Sequence, residues 1–176
     1  SIIFCIMINK LEEIILTPIE ELFSEKEIWD MFMEIKPKLH HCFDHSCRLA
    51  NYLAEKYPTI EYHEGIYSDY QILHAWNSIM KGGERYYFDF TGYYLEKFKK
   101  IQRWGGALLL RTYSPKEIDK LMFKKGIFCC QMEYDGSYKK FTEKYCQEEI
   151  KRMMKFERIA AKYEKKHEIL CSCVSC

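Results

Sequence analysis

Three residues in this chain have the types and the spacing to break or transfer an amide bond: Cys47, His74 and Asp89. A thiol nucleophile needs a stabilised thiolate, a base within hydrogen-bond reach, and a third group that fixes the base's tautomer. Cys47 lies three residues after Asp44, a favourable N-cap, which predicts Cys47 in the first turn of a helix. Unpaired backbone N–H groups and the helix dipole there lower a thiol's pKa and can hold an oxyanion. His74 alternates with Trp76 and Ser78 along one face of a predicted strand, and Asp89 alternates with Tyr87 and Arg85 along the next. A two-residue turn at Lys81-Gly82 or Gly82-Gly83 gives a pairing register of odd parity, so His74 and Asp89 share a face, opposite or diagonal. Cys42 also precedes the helix and competes for the nucleophile's place. Cys47 is preferred because it recurs with Ala50 and Leu53 at helical spacing.

The elements that must carry these residues can be read from periodicity and turn chemistry. Asn9 to Phe23 has helical spacing interrupted at Pro18, and Ser24 with Glu27 forms a capping box for a second helix. Trp29, Phe32 and Met33 are expected to be its buried stripe, and Pro37 to end it. A third helix is predicted from His45 to Tyr57, followed by strands at Ile60 to Tyr67, Ile72 to Ile79 and Arg85 to Phe90, the last two a hairpin about Gly82-Gly83. Ser114-Pro115-Lys116-Glu117 opens another helix that Gly126 would end, and a strand is predicted from Ile127 to Tyr134. Lys139 to Ile169 is charged and free of Gly and Pro, as one long helix would be. The expected fold class is α+β in a single domain spanning residues 1–176: N-terminal helices, a nucleophile helix packed on a small antiparallel sheet, and a long C-terminal helix. The core would occupy about residues 37–92 and the helical extension about 139–170.

Cys47-Arg-Leu-Ala50, Tyr57-Pro58, Glu64-Gly65, His74-Ala-Trp76-Asn77 and Asp89-Phe90-Thr91 together resemble the core of transglutaminase-like and papain-like cysteine enzymes, including small forms common in phage and bacterial genomes. Such cores have a cysteine opening a helix, a Y-x-E-G strand, a histidine in H-A-W and an aspartate in D-x-T. The likeness runs over residues 47–91; Phe90 replaces the proline often found after the aspartate, and nothing after Gly92 carries it. It implies a papain-like core, a Cys-His-Asp triad, no cofactor, and a protein or peptide substrate. It further implies peptidase or amidase chemistry, with transglutaminase or deamidase activity, or a non-catalytic interaction module, as alternatives. The position of Cys42 suits longer members, whose cysteine helix is one turn longer. His41, six residues before Cys47, corresponds to the glutamine that completes the oxyanion hole in papain-like enzymes.

Lys and Arg number 27 against 26 Asp and Glu, so no overall field draws the chain to nucleic acid or an acidic membrane. Nine cysteines, an odd number, with no export signal around the apolar residues 1–8, point to a reducing, cytoplasmic setting. Met7 is a candidate start, and residues 1–8 are too few to span a bilayer. His40, His41, Cys42, His45 and Cys47 have metal-ligand chemistry but not the paired spacing of structural zinc, and no metal is expected. The tail Cys171-Ser-Cys173-Val-Ser-Cys176 formally fits a prenylation box but reads as a reduced tail. Trp76, Tyr86-Tyr87 and Tyr93-Tyr94 are expected as core and cleft wall.

Overall fold

A computed structural model describes residues 12–67, 72–103, 105–125, 131, 135–144 and 155. In chain order its elements are β1 (Glu12–Ile15), α1 (Ile19–Leu22), α2 (Glu25–Ile35), α3 (Cys42–Leu53), β2 (Glu61–Tyr67), β3 (Ile72–Lys81) and β4 (Glu84–Phe88). There follow α4 (Phe90–Lys99), β5 (Gly106–Tyr113), α5 (Pro115–Lys125) and α6 (Ser137–Lys144).

The capping box forms as expected: Ser24 Oγ accepts from the Glu27 amide and the Glu27 carboxylate accepts from the Ser24 amide. Lys36, in the left-handed region at φ 50°, ends α2 just before Pro37. The buried stripe is Ile28, Met31 and Ile35, one position round the helix from the expected Trp29, Phe32 and Met33. Trp29 and Met33 face solvent at 63% and 56% exposure, and Phe32 is half-buried against Phe90 and Tyr93. The smaller aliphatic residues fit the close approach of α2 to α3 and the sheet, where they join Ile19, Leu49, Leu53, Ile79 and Phe88 in one core.

The predicted hairpin is present, with Gly82 and Gly83 at φ 57° and 84° in a two-residue turn. It is part of a larger sheet than the sequence implies. Five antiparallel strands run in the order β1-β5-β2-β3-β4, and a parallel bridge from Leu16 to Tyr87 brings the two edges together. The Thr17 amide donates to the Tyr87 carbonyl at 2.7 Å across that seam. The result is a nearly closed, barrel-like sheet filled by Ile14, Leu16, Tyr67, Trp76 and Ala107.

This corrects the expected fold at three points. The sheet is not small, because β1 and β5 extend it; the segment read as a helix from Asn9 supplies β1 before Pro18 and only the short α1 after it. The long C-terminal helix is not seen: the described helix there is α6, and residues 145–154 and 156–176 lie outside the described residues. Of the strand expected from Ile127 to Tyr134, Gln131 is described and is helical; the others lie outside the described residues.

Gly65 is where three parts of the barrel meet. A β-carbon there would stand 2.0 Å from the Leu108 carbonyl oxygen and 2.5 Å from the Trp76 indole. The β2–β5 register shifts between Glu64 and Gly65, so the bulge and the missing side chain let the strands close over Trp76.

Candidate active site

The helix that carries the cysteines starts at Cys42, three residues earlier than predicted. His41 is its N-cap without a side-chain bond, and Asp44 falls inside the first turn. The linking segment is fixed by contacts no local signal reveals. Arg48 on α3 donates to the carbonyls of Ile35 and Glu34, both at 2.9 Å, closing the open end of α2. The Lys38 amide donates to His45 Nε2 at 3.0 Å, so the proton sits on Nδ1, which donates to Thr91 Oγ1 at 3.0 Å. His45 is buried, and burial pulls its pKa down to about 4, in keeping with that neutral tautomer.

The sheet holds α3 from below. Asn77 Nδ2 donates to the Ser46 carbonyl at 2.8 Å and to the Glu61 carbonyl at 3.2 Å, tying β3 to α3 and β2. Cys47 packs among Ala50, Tyr62, Ala75 and Ile118. Burial pushes its thiol up to about 12, with the nearby charges of Asp44, Asp119 and Glu64 adding to the effect.

His74 and Asp89 meet as the parity argument requires. Ser78 pairs with Tyr87 and Asn77 with Phe88, which sets His74 diagonal to Asp89 on the same face. His74 Nε2 lies 2.8 Å from Asp89 Oδ2, both side chains buried. Asp89 Oδ1 accepts from the Gly92 amide at 2.9 Å, so the same carboxylate caps α4 and orients the imidazole. Tyr67 stacks on the His74 ring at 4.3 Å between centroids.

The thiol near enough to act on the His74 charge is that of Cys42. Burial alone would lower the His74 pKa, but the charge and hydrogen bond of Asp89, with the contact from Cys42, raise it to about 10. Cys42 is half-buried and is the first residue of α3.

The structure thus brings two of the three expected residues together, His74 and Asp89, and sets Cys42 rather than Cys47 beside them. Cys47 is in the second turn, turned to the core. His41 is exposed and adjacent to Cys42, not six residues before it. His45 and Thr91 join the segment before Cys42 to the helix after Asp89 and were not foreseen. The Asp89-x-Thr91 spacing was the available signal, since it places a cap and a hydroxyl in one turn. Among the described residues, no three His, Cys, Asp or Glu side chains converge as a metal site, and no helix is long and apolar enough to cross a membrane. Compared with family models, curated proteins and solved structures, the chain matches none.

Proposed function

We propose that this protein is a thiol-dependent acyl-transfer enzyme acting on amide or isopeptide bonds, with Cys42 as nucleophile, His74 as acid and base, and Asp89 orienting His74. One observation carries the reading: a buried imidazole held by a carboxylate at 2.8 Å, with a helix-opening thiol near enough to act on its charge. The raised His74 pKa favours the imidazolium, the form that can give a proton to a leaving amine. Cys42 Sγ bonds to the amide carbon, and the oxyanion that forms is met by first-turn N–H groups of α3. Cleavage of the C–N bond leaves a thioester while His74 gives its proton to the departing amine. Water, losing a proton to His74, then releases the acid and restores the thiol; an amine in its place yields a new amide. The first outcome is a peptidase, amidase or deamidase, the second a transglutaminase.

The same residues support kinship with transglutaminase-like cysteine enzymes, with the nucleophile moved to Cys42. The chemistry requires a reduced thiol, so we place it in a reducing compartment such as the cytoplasm. The test is turnover of a casein substrate with and without a fluorescent primary amine, in the parent protein and in Cys42→Ala. Peptide release or amine incorporation should vanish in Cys42→Ala and persist in Cys47→Ala. Activity that survives in Cys42→Ala would overturn the assignment.

A further inference from the structure

The first turn of α3 borders a cavity of about 380 Å³ lined by Lys36, Lys38, His41, Asp44, His45 and Arg48. Asp44, His45 and Arg48 line it from α3, and Lys36, Lys38 and His41 from the segment that leads into Cys42. The charges facing it are unequal: three permanent cations against the single carboxylate of Asp44. Asp44 pairs with Arg48 at 3.5 Å, and Arg48 is further committed to the Ile35 and Glu34 carbonyls. Among the described residues, Lys36 and Lys38 have no carboxylate partner. His45 is neutral there, its Nε2 taken by the Lys38 amide, which also pins the Lys38 backbone at the rim. The positive end of the α3 dipole adds to the same field.

We infer that this cavity is an anion subsite, so that the preferred amide substrate carries a carboxylate close to the bond that Cys42 attacks; the inference rests on the reading of Cys42 as nucleophile. His41, which lines the cavity, directly precedes Cys42, and adjacent α-carbons are about 3.8 Å apart, so a group held there would lie within a residue or two of a carbonyl at Cys42. A carboxylate is the anion that a peptide substrate itself carries, on a side chain or at its terminus.

Iodoacetate and iodoacetamide test this, since they alkylate a thiol by the same displacement and differ in one negative charge. Rates at Cys42 would be followed by peptide mapping at pH 7 and low salt, with glutathione as reference. The iodoacetate-to-iodoacetamide ratio should exceed that of glutathione. It should fall by roughly fivefold in the double variant Lys36→Gln/Lys38→Gln, and fall likewise for the parent in high salt. The His74 imidazolium is common to both proteins, so a fall on substitution reports the lysines. Fast labelling of the parent with a ratio unchanged in the variant would overturn the subsite alone. Labelling of Cys42 no faster than glutathione by either reagent would overturn the nucleophile reading and the subsite with it.

Discussion

Cys42 and Cys47 sit on one helix, and α3 gives them different surroundings. Cys42 opens the helix, half-buried, in its first turn and near enough to the buried His74 to act on its charge. Cys47 lies in the next turn among Ala50, Tyr62, Ala75 and Ile118, where burial raises its pKa to about 12. The histidines divide in the same way. His45 and His63 are buried among hydroxyls and pulled down to about 4 and about 3, whereas His74 is equally buried but has Asp89 at 2.8 Å and is raised. Burial is common to the three histidines, so the carboxylate at hydrogen-bond distance decides the direction in which His74 shifts.

The largest effect expected from disturbing this contrast is that of His74→Ala. A thiol with no imidazolium beside it, as this variant leaves Cys42, has little thiolate at pH 6, since free thiols are under roughly 1% ionised there. Its alkylation by iodoacetamide at that pH should slow on the order of 100-fold, as quenched-flow mass spectrometry would measure. Asp89→Asn should do less, on the order of tenfold, because the amide can still cap α4 while the charge that holds His74 protonated is gone. The reactivity that remains should shift to higher pH, and an unshifted profile would remove Asp89 from its role.

Stability should follow pH from both sides. His74 has a folded pKa raised to about 10, so its contribution is complete below roughly pH 6.5 and is lost as pH rises toward 10. His45 and His63 have lowered values, so their contribution is complete above roughly pH 6.5 and is lost as pH falls toward 4 and 3. Thermal melts should therefore peak near neutrality, and Asp89→Asn should flatten the alkaline side only. The smallest effect expected is that of Cys47→Ala, which deletes a buried sulfur and should cost about 1–2 kcal/mol in urea unfolding. Cys42 labelling in that variant should stay within about twofold of the parent.

The hairpin was legible because its signals are local. Alternation about Trp76, two glycines able to take positive φ, and the parity of the loop together brought His74 to Asp89. The capping boxes at Ser24 and Ser114 were legible for the same reason. β5 was not, since Gly106–Tyr113 pairs with β2 and β1, about 40 to 97 positions away, and nothing in its own composition names those partners. β1 was taken for helix because four residues show too little alternation to outweigh the apolar spacing around them. The contrast between the two cysteines is the most instructive. The recurrence of Cys47 with Ala50 and Leu53 marked the face of α3 that turns to the core, and a residue in phase with that face is buried. Asp44 looked like a cap but serves in the first turn, because Arg48, His45 and the positive-φ residues Lys36 and His40 start the helix earlier.

The central claim is that the reactive thiol is the one that opens α3, and limited alkylation followed by peptide mapping tests it most directly. At pH 6, with iodoacetamide at a fraction of one equivalent, the label should fall on Cys42 ahead of every other cysteine among the nine in the chain, and the preference should disappear in His74→Ala. Label on Cys47 first, or label spread evenly with Cys42 reacting no faster than free glutathione, would contradict the account.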